Sequence, residues 1–159
     1  MGVFKDCGCG CGGEIAKQKF IISLFAACIF FIIMNKNTFE FTSRALGPWI
    51  AGPGGCPTVA GFGLHTLVFM LVAFGTMMIR DQNSIHEKMR ISALSAAIFY
   101  IVANPNTFKV MTRVLGNWVA DSSGCPSLAG LLLHSGVFVL IIYLTMNNRK
   151  VKKCNCISN

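Results

Sequence analysis

The sequence predicts an all-α membrane protein: four transmembrane helices, arranged as two tandem, parallel-oriented helical-hairpin repeats with short interfacial helices in the non-cytoplasmic loops. Three observations carry that prediction. The chain of 159 residues is 53% hydrophobic and only 13% charged, with a mean hydropathy of +0.60, too apolar for an ordinary soluble domain. Its apolar residues fall in four blocks. It also repeats itself: shifted by 69 residues, residues 17–80 align with 86–149 without a gap, and 29 of the 64 pairs are identical.

Taken in order, the first block runs from Phe20 to Met34, broken only by Ser23, and the second from Val59 to Ile79, with His65 its one ionisable residue. Ile91 to Ala103 and Leu128 to Met146 repeat the pair. The second and fourth blocks reach the roughly 20 residues that cross a ~30 Å hydrocarbon core. The first and third are shorter, so Lys17 and Lys19, or Lys88 and Arg90, are expected to extend them by snorkelling toward the headgroups. A soluble helical core does not account for the long blocks, which are apolar all round rather than striped. Asp6 and Glu14 ahead of the first block, with no small-residue cleavage site after it, argue against a cleaved leader.

Charge sets the expected orientation. The N-terminal tail, the connector and the C-terminal tail hold Lys5, Lys17, Lys19, Arg80, Lys88, Arg90, Arg149, Lys150, Lys152 and Lys153, whereas the two intra-repeat loops hold only Lys36, Arg44, Lys109 and Arg113. That bias places both termini and the connector on the cytoplasmic side. The organisation reads as a cysteine- and glycine-rich tail (1–16), a hairpin repeat (17–80), a linker (81–85), a second repeat (86–149) and a basic tail (150–159). Two spans per repeat insert both copies the same way, with a pseudo-two-fold axis along the membrane normal.

The densest identity lies between the spans. Both loops read Asn-x-Asn-Thr-Phe, then Arg-x-Leu-Gly-x-Trp-x-Ala, then Gly-Cys-Pro. Asn37 or Thr38 is expected to cap a helix, after which Phe39, Leu46, Trp49 and Ile50 recur at near-helical spacing, as do Phe108, Leu115, Trp118 and Val119. Trp49 and Trp118, with Arg44 and Arg113 on the polar side, read as interfacial anchors. Gly47 and Gly116 predict a break or bend. Such an element serves either as a lid over the open end of the hairpin or as a re-entrant lining of a pore, which depth permits only under protein cover; the lid is the simpler reading.

Pro57 and Pro126 suit the first turn of the following helix. Cys56 and Cys125 then stand just outside equivalent helix starts, where a two-fold axis lets them meet. They form a disulfide if their Cα atoms come within about 7 Å in an oxidising compartment, and otherwise remain small buried thiols. His65 and His134 lie eight residues beyond those prolines, ~12 Å down the helix. Gly61, Phe69 and Thr76 share the face of His65, and Gly130, Phe138 and Thr145 that of His134, with the glycines expected to admit close helix packing. An intramembrane histidine is a candidate proton relay or ligand. The alternative is a neutral ring bonded to a Ser, Thr or backbone carbonyl nearby, with Ser23 and Ser92 as expected partners. A pair of histidines is too few for a tetrahedral metal site. No carboxylate lies within a span, which weighs against a proton or cation pathway.

Cys7, Cys9 and Cys11 in one tail, and Cys154 and Cys156 in the other, are candidates for S-acylation beside basic residues or for a shared zinc, although C-x-C is tighter than the usual zinc spacing. Met1-Gly2 invites myristoylation, but Asp6 stands where that motif wants Ser or Thr. The net charge of +8, concentrated at the ends, favours anionic lipid or an acidic partner surface over specific nucleic-acid binding. No catalytic constellation is present: no Ser-His-Asp set, no phosphate-cradling glycine loop and no H-E-x-x-H.

The terminal cysteine clusters, the Asn/Lys/Ile-rich ends and the N-x-N-T-F…G-C-P hairpins resemble small multi-span membrane proteins of large double-stranded DNA viruses of algae and amoebae. That resemblance implies a virion inner-membrane or minor capsid component, with basic tails toward the capsid and capsid or other membrane proteins, or further copies of itself, as partners. A small transporter or channel with a pseudo-symmetric His65/His134 pair is the alternative expectation.

Overall fold

Helices form where the apolar blocks and the loop signals place them. The computed structural model describes residues 12–80 and 84–147. In it α1 spans Gly12–Met34, α2 Lys36–Leu46, α3 Val59–Arg80, α4 Ile85–Val102, α5 Pro105–Leu115 and α6 Leu128–Asn147. A tight turn at Pro53–Gly55 and two isolated antiparallel bridges, Ala51 to Pro57 and Ala120 to Pro126, complete the described residues.

Ala16–Met34, Val59–Ile79 and Leu128–Asn147 are each long and apolar enough to cross a membrane. α4 meets that standard only together with α5, from which it bends by 47°. The count is therefore three spans, or four if that bent pair is one broken span. Charge is the reason: α4 opens with His86, Glu87, Lys88 and Arg90 inside its first two turns. One expectation fails here. Lys88 does not reach outward; it is buried, with its Nζ 3.9 Å from the Met78 sulfur, because its stem lies along the α3–α4 contact rather than on the free face.

α1 packs chiefly against α6 and α3 against α4, with smaller contacts of α4 with α6 and α1 with α3. Four phenylalanines, one from each long helix, fill the centre. Phe30 stacks on Phe138 (4.8 Å between centroids) and Phe69 on Phe99 (4.5 Å), while Phe30–Phe99 and Phe69–Phe138 meet edge to face at 5.2 and 5.7 Å. None is more than 1% exposed. Offset and T-shaped pairs of this kind add to the ordinary gain from burial. The outer surface is the opposite case. Only 17 to 28% of the residues in the three spans are buried within the chain, and Phe20, Ile32, Leu71, Ile79, Leu132 and Leu140 stand largely exposed.

Candidate functional site

Two buried polar side chains, His65 and His134, lie where the long helices meet the inter-helix loops. A helix leaves its last four carbonyls without intrahelical donors, and α1 and α4 end inside the fold. Side chains from further along the chain satisfy them. The Thr38 hydroxyl donates to the Ile32 carbonyl at 2.6 Å, and Thr107 to that of Ile101 at 2.7 Å. Nδ1–H of His65 donates to the Ile33 carbonyl at 2.9 Å, and Nδ1–H of His134 to that of Val102 at 2.7 Å. Ser23 and Ser92, the expected partners, are not used. Their hydroxyls bond back to Lys19 and Lys88 one turn earlier, which ties them to their own helices.

Each imidazole also stacks on the loop helix above it: Phe39 on His65 and Phe108 on His134, both at 3.8 Å between centroids. His65 thus joins α1, α2 and α3, and His134 joins α4, α5 and α6. Their second nitrogens differ. Nε2 of His65 lies 3.0 Å from the Thr42 hydroxyl; with Nδ1 carrying the proton, Nε2 of the neutral ring accepts. In the second copy Met111 stands where Thr42 does, and the buried Nε2 of His134 has no partner among the described residues.

The caps lie two or three residues earlier than expected. Asn35 and Asn104, not Asn37 or Thr38, accept from the amides of Asn37 and Asn106 at 3.0 and 2.9 Å, and Pro105 takes the first position of α5, where no donor is lost. Gly47 and Gly116 end α2 and α5 with φ of 115° and 104°, a region that disfavours a Cβ. The break splits the anticipated stripe. Phe39, Phe108, Ile50 and Val119 are buried, whereas Leu46, Trp49, Leu115 and Trp118 are about half exposed. Each indole folds back instead, Nε1–H donating to Leu46 or Leu115 at 2.8 or 2.7 Å, and so caps the helix C-terminus. Arg44 and Arg113, exposed in the last turns, oppose the negative end of the helix dipole.

The chain then doubles back. Amides of Gly52 and Thr58 donate to Cys56 and Ile50, as those of Asp121 and Ser127 do to Cys125 and Val119. This moves Pro57 and Pro126 out of their predicted helical positions and into the bridges; α3 and α6 start two residues later. Thr58 and Ser127 are the caps, accepting from the Gly61 and Gly130 amides at 3.0 and 2.9 Å and donating to the Trp49 and Trp118 carbonyls. Gly61 and Gly130 do permit a close approach, but of the loop and not of another helix. A Cβ on either would run into the carbonyl of Ile50 or Val119.

Cys56 and Cys125 form a disulfide, their Cα atoms 5.3 Å apart, and so join the two loops. Beside it Asp121 Oδ1 accepts from the Ser123 hydroxyl and from the Ser123 and Cys125 amides. The Ser123 hydroxyl above all, and then the surrounding amides, hold this carboxyl below the usual aspartate range. The first loop has Gly52 at the matching position. The tail cysteines, Cys7, Cys9, Cys11, Cys154 and Cys156, with the zinc or acyl groups expected on them, lie outside the described residues. Comparison with protein-family models, with curated proteins and with solved structures finds no match, and the functional reading rests on this chain's own residues.

Proposed function

We propose that this chain is a structural integral membrane protein that anchors or organises a bilayer. The observation that carries the proposal is the inside-out distribution of surface: aromatic rings close the centre, while most of each span's apolar residues face outward. That surface matches hydrocarbon as its solvent. Among the described residues the buried polar groups of the loops are engaged in tying helix ends together, and no carboxylate lies in Ala16–Met34, Val59–Ile79 or Leu128–Asn147.

In this reading residues 17–80 and 86–149 are two parallel hairpins about a pseudo-two-fold axis, which the matched bonds of positions 69 apart support. Both termini face the cytoplasm, as the lysine and arginine bias favours. α2 and α5 lie at the far headgroup layer, with Phe41, Leu46 and Trp49, or Val110, Val114 and Trp118, as their exposed apolar residues. The narrower assignment, a virion inner-membrane or minor capsid component linking membrane to capsid, rests on the resemblance of its motifs and on the basic ends. The transporter reading has one observation in its favour, the unpartnered Nε2 of His134, and the phenylalanine plug against it.

Reconstitution tests the proposal. The chain is expected to resist carbonate extraction from vesicles and to leave imposed proton and potassium gradients intact, with H65A and H134A changing neither result. Extraction by carbonate, or a flux that H134A abolishes, refutes it. Copurification with virus particles is the corresponding test of the narrower assignment.

A further inference from the structure

We propose that the clasp between the loops is a redox-gated site for a soft divalent cation such as zinc, with reduced Cys56 and Cys125 and the Asp121 carboxylate as three ligands and water as the fourth. One ligand atom from each of these residues lies within 4.8 Å of the other two. A sulfur in a disulfide is not a thiolate, so the site exists only after reduction. A dithiol supplies that step: it transfers two electrons and two protons to the clasp, the S–S bond breaks, and the dithiol leaves as its own disulfide. The cation then displaces both thiol protons to solvent.

Geometry favours the exchange. Two sulfurs no longer bonded to each other separate to about 3.7 Å, which is also the edge of a tetrahedron with Zn–S of ~2.3 Å. With the Cα atoms 5.3 Å apart, side-chain rotation suffices. The carboxylate is already oriented: three donors converge on Oδ1 and leave Oδ2 clear of them. A cavity lined by Gly52, Pro57, Thr58, Pro105 and Ser123 opens onto both cysteines and lets a hydrated cation reach them. Two thiolates and one carboxylate select zinc or a similar ion over magnesium or calcium. Because Gly52 stands where Asp121 does in the first loop, only the second loop brings a carboxylate to the clasp.

Cobalt titration of the full chain in detergent micelles tests this, with Cys7, Cys9, Cys11, Cys28, Cys154 and Cys156 changed to serine so that only the clasp can bind. After reduction by dithiothreitol and its removal under argon, one Co²⁺ per chain is expected, with tetrahedral ligand-field bands and a thiolate-to-cobalt charge-transfer band, all displaced by Zn²⁺. The unreduced chain takes none. Asp121→Asn is expected to weaken binding by at least ~10-fold, the lower end of what loss of a supporting group costs a metal site; its disulfide re-forms on reoxidation, which shows that it still folds. Absence of the bands from the reduced chain, equal binding before reduction, or unchanged affinity in Asp121→Asn overturns the proposal.

Discussion

His134 and Val102 are 32 residues apart, yet Nδ1 of the one lies 2.7 Å from the carbonyl oxygen of the other. His65 and Ile33 repeat the relationship at the same separation and 2.9 Å. Each bond satisfies a carbonyl at the end of a helix that terminates inside the fold, so His65 ties α3 to the end of α1 and His134 ties α6 to the end of α4.

Removing either ring should therefore leave a buried carbonyl without a donor. His65→Ala and His134→Ala are each expected to cost about 1–3 kcal/mol, read as a lowered thermal midpoint in micelles. His134 offers a sharper comparison. Met111→Thr places a hydroxyl where Thr42 stands and is expected to stabilise by about 0.5–1.5 kcal/mol. Thr42→Met should destabilise, by orphaning Nε2 of His65. Equal midpoints for Met111→Thr and the parent chain would show that Nε2 of His134 lacks nothing.

The loop carbonyls beside Gly61 and Gly130 set up a contrast between glycines on the same helices. Gly61→Ala and Gly130→Ala force the loop from its helix and should lose about 1–3 kcal/mol or more. Gly63→Ala and Gly136→Ala meet open space and should be neutral or stabilising by up to ~1 kcal/mol through helix propensity. A thermal series on the four variants checks the ranking.

The disulfide closes a sequence separation of 69 residues. Chain-entropy reasoning sets an upper bound of about 4 kcal/mol for such a loop. A bilayer already confines the unfolded helices, so the loss in Cys56→Ser/Cys125→Ser should be smaller in vesicles than in denaturing detergent. Protease sensitivity of residues 50–58 and 119–127 should rise in both.

Asp121 makes the outer turn sensitive to acid. Its carboxyl is depressed in the folded chain, chiefly by the Ser123 hydroxyl, so its contribution is complete above the unfolded value near 3.9. It is lost as pH falls through the lower folded value. Proteolysis at 121–125 should therefore accelerate only in strong acid, and Asp121→Asn should show no such step. An unchanged acid profile in that variant would assign the effect to another group.

Particular residues show which parts of this were readable beforehand. The apolar blocks marked every long helix, although only those of α3 and α6 reach span length by themselves and α4 does not qualify alone. The glycines at 47 and 116 marked the helix ends, because a backbone angle is a local demand. Local pattern also placed Cys56 and Cys125 at matching positions. It allowed a backbone carbonyl as the partner of His65 and His134 but pointed to Ser23 and Ser92, and it misplaced the caps at Asn35 and Asn104 and the start of the helix at Pro57. The histidines answer to a carbonyl 32 residues away and Pro57 to the loop that doubles back on it, and side-chain spacing encodes neither.

By itself, then, the sequence determined that the chain is helical, apolar enough for a membrane and written twice, since each follows from residue type and period alone. Tertiary structure decided what the shared polar residues do. The imidazoles donate to helix-end carbonyls, the indoles fold back on their own helices, and the glycines receive the returning loop. The first two are bonds to the backbone and the third is a close approach to it, and the backbone offers the same donors and acceptors at every residue until folding selects among them.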